Sequence, residues 1–303
     1  MTGQRNIGAS VTARLLNRAK QTGDDYQNLL AAFCFERFLF RLGVSKARDR
    51  FVLKGAMLLR LWSDQPYRAT RDLDLLRKGD GSFDAIGTDI KAICTVDVEP
   101  DAVSFDPDSL RIEAIRSEDE YAGTRATLPT RCGTSRLRIQ IDMGLGDSVW
   151  PAPQSCTYPA LLEFPPPRVL AYPPEAVIAE KLEALVVLGD RNSRIKDFFD
   201  LDYLASHFEF DRATLAEATR RTFAHRRTPV PTGEPIGLTA EYWRNASRTP
   251  QVAAFARRAG LNVGLSAGFD LLRTLRPFLL PILDDIHRGV KVAGKWAPGG
   301  PWR

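Results

Sequence analysis

The feature that most restricts the fold is one supersecondary unit between Phe51 and Leu76. A short apolar run, Phe51-Val52-Leu53, leads into Lys54-Gly55. From Ala56 to Trp62, Met57, Leu58, Leu61 and Trp62 recur on a helical period, and Asp64-Gln65-Pro66 breaks it. Arg68-Ala69-Thr70-Arg71-Asp72-Leu73-Asp74-Leu75-Leu76 then reads as a strand. Alternate strand residues face the same side, roughly 7 Å apart. Asp72 and Asp74 therefore project together while Leu73 and Leu75 turn into the core. Two such carboxylates repel each other, and a divalent cation resolves the conflict; magnesium suits hard oxygen ligands and bridges them to phosphates. Asp-x-Asp alone describes many solvated strand faces. Here a Lys-Gly turn, whose backbone N–H groups lead into a helix and can meet a phosphate, stands in the same unit.

A third carboxylate is offered by Leu137-Arg138-Ile139-Gln140-Ile141-Asp142-Met143, the clearest alternating strand of the chain. Leu137, Ile139 and Ile141 point one way and Arg138, Gln140 and Asp142 the other. Upstream, Asp24-Asp25-Tyr26-Gln27 resembles a capping box before a helix carrying Leu30, Phe33, Cys34, Phe38 and Leu42, with Gly43 placed to end it. A helix is expected from Phe83 to about Ile93, and strands around Val96–Val98 and Leu110–Ile115. Eight prolines between Pro151 and Pro174 separate this part from a mainly helical remainder. Helices are expected at 174–188, 195–207, 211–223, about 239–260 and 267–288, before a loose tail from Val292. The pattern predicts two domains, 1–170 and 171–303, in an α+β fold.

Composition narrows the function classes. The four cysteines, Cys34, Cys94, Cys132 and Cys156, form no CxxC pair, and His207, His225 and His287 lack metal-ligand spacing. There is neither an apolar signal region nor a run of membrane-spanning length, so a soluble, cytoplasmic protein with no membrane partner is expected. The net charge of +5 permits a nucleic-acid partner. Arg220, Arg221, Arg226 and Arg227 flank Phe223, pairing phosphate-contacting charge with a ring able to stack on a base. Charge runs are more often solvated faces. Arg131, Arg136 and Arg138 form a second basic group.

Several of these segments resemble the AbiEii/MenT nucleotidyltransferase toxins. Leu53-Lys54-Gly55-Ala56, the Arg68–Leu76 stretch and the lead-in Glu36–Leu42 are similar to that family's first motif, with Ala56 where a second glycine is usual. Glu180-Lys181-Leu182-Glu183-Ala184-Leu185 and Asn192-Ser193-Arg194-Ile195-Lys196-Asp197-Phe198-Phe199-Asp200-Leu201 are similar to its distal motif. The resemblance spans roughly residues 10–205. It implies a polymerase-beta-like nucleotidyltransferase domain followed by a helical domain that contributes the distal motif. It assigns site roles to Thr70, Asp72, Asp74, Lys181 and Asp197. It also implies a magnesium or manganese ion, an NTP substrate, an RNA acceptor such as the tRNA 3′ end, and a separately encoded antitoxin. In the corresponding mechanism Asp72, Asp74 and Asp142 hold metal, and Lys54, Gly55, Arg68, Thr70, Arg194 and Lys196 handle the triphosphate. Lys181 itself stands on an apolar helix stripe, which is costly unless its ammonium meets an anion such as a phosphate or Asp197; Glu180 and Glu183 are the ordinary alternatives. Asp200 and Asp202 are further ligand candidates, although Lys196 could pair with Asp200 at i,i+4. Three other functions fit the residues: nucleotide transfer to a small molecule or protein, a non-catalytic nucleic-acid-binding module, and a kinase-like phosphotransferase acting on a partner, which would leave ADP rather than pyrophosphate.

Overall fold

The computed structural model describes residues 7–63, 68, 70, 72–115, 123–264 and 266–303. The chain divides into two compact units. One runs up to Gly146 and takes in Gln154–Ala171; the other comprises Asp147–Pro153 and Tyr172–Arg303.

The first unit holds helices α1 (Ile7–Thr22) and α2 (Tyr26–Val44), strand β1 (Phe51–Lys54), α3 (Met57–Trp62), β2 (Leu73–Arg77) and α4 (Phe83–Cys94). Strands β3 (Val103–Phe105), β4 (Arg111–Ile115), β5 (Gly123–Cys132), β6 (Ser135–Leu145), β7 (Gln154–Thr157) and β8 (Arg168–Ala171) follow. Among the described residues these strands form one mixed sheet in the order β3-β5-β6-β2-β1-β8-β7, with β4 also paired to β5. The β2–β6 and β1–β8 pairs are parallel. Along β5 and β6 burial alternates: Ala126, Leu128, Ile139, Ile141 and Met143 are buried, and their neighbours are not.

Helix α2 starts as its sequence suggests, with Asp25 accepting a hydrogen bond from the Asn28 N–H at 2.9 Å. It does not stop at Gly43. It continues to Val44, and a Cβ at position 43 would press on the Arg168 backbone carbonyl. The glycine permits close approach to β8 rather than a left-handed cap. Nor is α2 amphipathic in the ordinary sense, because its polar side is buried too. Glu36 accepts from the Leu161 N–H at 2.6 Å, Arg37 donates to the Pro165 carbonyl at 2.8 Å, and Arg41 grips Asp101 with two bonds of 2.7 and 3.0 Å. Burial pushes the Glu36 carboxyl up against the opposing pull of Arg37. Breaking a buried pair such as Arg41–Asp101 typically costs about 3–5 kcal/mol. The Glu36–Leu42 lead-in thus ties loops to the sheet unit.

The second unit contains α5 (Pro174–Leu188), α6 (Ile195–His207), β9 (Phe210–Asp211), α7 (Arg212–His225), α8 (Ala240–Arg244), α9 (Arg248–Ala259), α10 (Ala267–Arg288) and β10 (Lys295–Trp296). Helix α5 packs on α7, and α10 on α6 and α7. The α+β class with a helical C-terminal part is as the sequence predicts.

Four local expectations are corrected. Val96–Val98 is not a strand; the strand preceding β4 is β3. The strand expected from Arg68 begins only at Leu73, and Ala69 and Arg71 lie outside the described residues, as does the Asp64-Gln65-Pro66 break. The helix expected over 239–260 is two helices, because Asn245 leaves helical backbone and caps Ser247 through its side chain. The tail is not loose. Trp296 is 1% exposed and donates to the Ala205 carbonyl at 2.6 Å, β10 pairs with β9, and Trp302 stacks on Phe278. Two large rings outweigh the Gly and Pro content that reads as a free end.

Candidate active site

Sheet register assembles the first cluster. Lys54 on β1 pairs with Asp74 on β2, Asp74 with Asp142 on β6, Asp142 with Arg125 on β5, and Arg125 with Glu113 on β4. Register partners point to the same face, so these five residues form one charged row across five strands. Asp72 stands just before β2. One oxygen from each of Asp72, Asp74 and Asp142 lies within 4.8 Å of the others, and all three residues are half-buried. The expected adjacency of Asp142 to the Asp72/Asp74 strand is thus present.

The Lys54-Gly55 turn is fitted to this row. Gly55 has φ +71°, and a Cβ there would overlap the Asp74 carboxyl group, 2.6 Å from its Cγ. Only glycine allows both the left-handed backbone and the approach. Ala56, where the family motif has a second glycine, has φ −68° and ψ −22°, which alanine adopts without strain. Thr70 donates its hydroxyl to the Asp72 carbonyl at 2.9 Å, clipping the backbone that presents Asp72. Arg68 is half-buried beside this segment in sequence.

Arg125 escaped the sequence reading. Its guanidinium makes two 2.8 Å bonds to Asp142, and that hydrogen-bonded contact raises its pKa. The signal was available. The two-residue turn Gly133-Thr134, with Gly133 at φ +58°, pairs Cys132 with Ser135. Counting back equally on both strands from that turn brings Arg125 opposite Asp142.

A metal fits the carboxylate set. Three hard oxygen donors converge, in keeping with magnesium, which takes one or two carboxylates and completes its shell with water and phosphate oxygens. Asp142 already has one cation in Arg125.

The helical unit carries the second cluster. Lys181 on α5 lies 2.5 Å from Asp197 and 2.8 Å from Asp200, both on α6, and Arg194 closes on the other Asp197 oxygen at 2.7 Å. Burial works against the Lys181 ammonium, but Asp197 and Asp200 outweigh it and hold its pKa above the ordinary lysine value. Burial likewise opposes the Asp197 carboxylate, and Lys181 and Arg194 overcome it, holding its pKa below the usual range. Of the anions considered for Lys181, Asp197 is its partner together with Asp200. Glu180 and Glu183 are engaged by Arg226 at 3.5 and 2.8 Å. Asp200 thus binds Lys181, in place of the i,i+4 pairing with Lys196. Burial raises the Asp202 pKa, and the Thr274 hydroxyl opposes that shift. Arg194 remains 44% exposed, and Lys196 is exposed.

The basic run on α7 does not present one face of charge. Arg226 is enclosed by Asp147, Glu180 and Glu183. Arg220 and Arg221 both bind Glu217, and Arg221 also covers the Trp150 ring at 4.0 Å. Phe223 is 1% exposed, so the expected base-stacking ring belongs to the core. Arg227, exposed at φ +55°, ends the run. No described helix is long and apolar enough to cross a membrane.

No curated protein matches the chain. The solved structure of JHP933 from Helicobacter pylori is similar with TM-score 0.48 and 14% identity, over 88% of this chain and 95% of that one. A candidate nucleotidyltransferase from the same organism gives TM-score 0.44 and 17% identity, over 88% and 97%. The family model for the nucleotidyl transferase AbiEii toxin of type IV toxin–antitoxin systems matches residues 37–269, a span that takes in both charge clusters, and the chain belongs to that family.

Proposed function

We propose that this chain is a metal-dependent transferase moving a nucleotide from an NTP to an RNA acceptor, with the 3′ end of tRNA as the first acceptor to test. Membership of a toxin family implies an antitoxin partner. The observation that carries the reading is the convergence of Asp72, Asp74 and Asp142 beside a glycine turn that cannot accept a side chain.

In this reading Asp72 and Asp74, with Asp142, hold a divalent cation. Such an ion, when bound, neutralises phosphate charge and lowers the pKa of the acceptor hydroxyl. Lys54, Arg68 and the Gly55 turn receive the triphosphate, and Thr70 keeps Asp72 in place. Arg125 fixes the Asp142 carboxyl plane and limits how much negative charge that residue adds. Arg194 and Lys196 add exposed positive charge for the nucleotide. Asp197, held ionised by Lys181 and Arg194, is a poor proton acceptor; its role is to orient Lys181. The acceptor oxygen bonds to the α-phosphorus, the bond to the departing pyrophosphate breaks, and the hydroxyl proton ends in solvent. Positioning and charge stabilisation supply the rate, with no covalent enzyme intermediate.

The test offers purified protein total tRNA, magnesium and each labelled NTP in turn, beside Asp72→Ala. Label on tRNA that disappears in the variant is expected. Full transfer by Asp72→Ala would overturn the site assignment. Label on the protein itself, with none on tRNA, would reassign the acceptor. ADP in place of pyrophosphate would make the reaction a phosphotransfer.

A further inference from the structure

The polar face of the β5–β6 ribbon carries more than Asp142. On β6 that face continues through Gln140 to Arg138 and Arg136; on β5 it runs from Arg125 through Thr127 and Pro129 to Arg131. Arg131 and Arg136 are register partners, placing two guanidinium groups directly opposite each other, and Arg138 follows on the same side. Like charges in that arrangement destabilise a sheet. Arg131, Arg136 and Arg138 are all exposed, and among the described residues none of them has a hydrogen-bond or ion-pair partner. This contrasts with Arg125, Arg220, Arg221 and Arg226, each held by a carboxylate. The three line a groove with Ser104 and Asp106, and that acid is held by the Ser109 hydroxyl at 2.7 Å. At about 3.3 Å per residue, Arg138 lies roughly 13 Å and Arg136 roughly 20 Å along the strand from Asp142.

We propose that this arginine track binds the sugar–phosphate backbone of the RNA acceptor and guides its single-stranded 3′ end along the ribbon toward Asp142. The proposal rests on the nucleotidyltransferase reading and deepens it by naming the acceptor-binding surface. Arg131 feels the nearby Asp106, but three exposed guanidinium groups at neighbouring positions on one ribbon face, without a hydrogen-bond or ion-pair partner among the described residues, suit a repeating anion. A compact triphosphate could not reach both Arg136 and the aspartates. The half-buried Thr127, between the track and Asp142, supplies a neutral hydroxyl for sugar hydroxyls or base edges, while Gln140 beside it faces the Arg125–Asp142 pair.

The experiment compares wild type with Arg131→Gln/Arg136→Gln/Arg138→Gln for binding of a labelled single-stranded RNA of about 12 nucleotides over a salt series. Three lost phosphate contacts should reduce the slope of log affinity against log salt by about 2 and weaken binding on the order of tenfold or more at moderate salt. Magnesium-dependent NTP binding should be unchanged. The three Arg→Lys replacements together should restore most of the slope. The melting temperature of the glutamine variant should match or exceed wild type, since a like-charge pair is relieved; should the triple variant not fold, Arg136→Gln and Arg138→Gln singly should each lower the slope by about 0.7. Unchanged RNA affinity and slope would overturn the proposal. So would a parallel loss of NTP binding, which would give the arginines to the nucleotide. Wild type that binds RNA through the track yet transfers nucleotide to no acceptor would sink the enzymatic reading and leave the RNA surface standing.

Discussion

The two charge clusters differ in how deeply they bury their charges. In the sheet unit, three carboxylates stand half-buried, and Arg125 makes two hydrogen bonds to one of them, Asp142. In the helical unit, Asp197 and Asp200 are almost fully buried and face Lys181 and Arg194, two acids against two cations. Buried charges persist only when paired, so the helical cluster is closed. A half-buried acidic set can remain open to a ligand. On the proposed reading the sheet cluster receives a cation, and the helical cluster holds a geometry.

Substitutions can break this contrast. The largest effect is expected from Asp74→Asn, which keeps volume and hydrogen bonding but removes a charge. Nucleotide transfer should fall about 10³-fold or more, since metal and phosphate stabilisation is worth several kcal/mol. The melting temperature should fall less than for a buried pair such as Lys181–Asp197; an equal drop would mean that Asp74 is a structural partner like Asp197. Next comes Lys181→Met, which leaves two buried carboxylates without their lysine. Stability should fall by about 3–5 kcal/mol, and adding Asp197→Asn should recover part of it. Denaturant titration reads both numbers. A Lys181→Met protein of unchanged stability would show that the cluster is not closed.

The pH dependence sharpens the same point. Asp197 is held below its ordinary pKa, so its contribution is present above the unfolded-state value near 4 and is lost as pH falls through the lower folded value. Lys181 is held above its ordinary pKa, so its contribution is complete below the unfolded value near 10.4 and is lost as pH rises through the higher folded one. The stability gap between wild type and Lys181→Met/Asp197→Asn should therefore be flat from about pH 5 to 9 and narrow outside it. A gap that slopes through neutrality would implicate another group.

Smaller effects follow. Gly55→Ala should cost about 1–3 kcal/mol from left-handed backbone strain, and transfer should fall further because the new methyl displaces Asp74. Transfer equal to wild type would dissociate the turn from the site. Smallest is Glu217→Gln. Glu217 is lowered to about 2 by its bonds to Arg220 and Arg221, yet the arginines are exposed, so stability should move by less than about 1 kcal/mol.

How much was legible in the sequence follows the range of the forces involved. Helices with strong apolar periods and local caps were readable to within a residue or two: α4, α5 and α6 are where the pattern places them. The Asp-x-Asp segment and its Lys-Gly turn were readable because their geometry is local. The β6 alternation identified Asp142 as a third carboxylate, but its place beside Asp74 depends on strand order, and no local pattern encodes that. Arg125 was missed although one turn fixes its partner, because β5 had not been recognised as a strand. Phe223 and Arg226 misled for the opposite reason. Their composition resembles a nucleic-acid surface, and only tertiary packing reveals a core ring and a buried arginine. Val292–Arg303 reads as loose by its glycines and prolines; Trp296 and Trp302 reverse that through contacts with Ala205 and Phe278, distant in sequence.

Those tail tryptophans have an optical consequence. Of the five tryptophans in the chain, only Trp62 belongs to the sheet unit; Trp150, Trp243, Trp296 and Trp302 all belong to the helical one. Intrinsic fluorescence of this protein is therefore a nearly one-sided reporter. It follows the helical unit as Trp296 and Trp302 come away from Phe278, and is almost blind to the sheet. Far-ultraviolet circular dichroism follows both. A melt recorded by the two signals together separates the unfolding of the half that carries the aspartates from that of the half that carries Lys181, without a label or a cut in the chain.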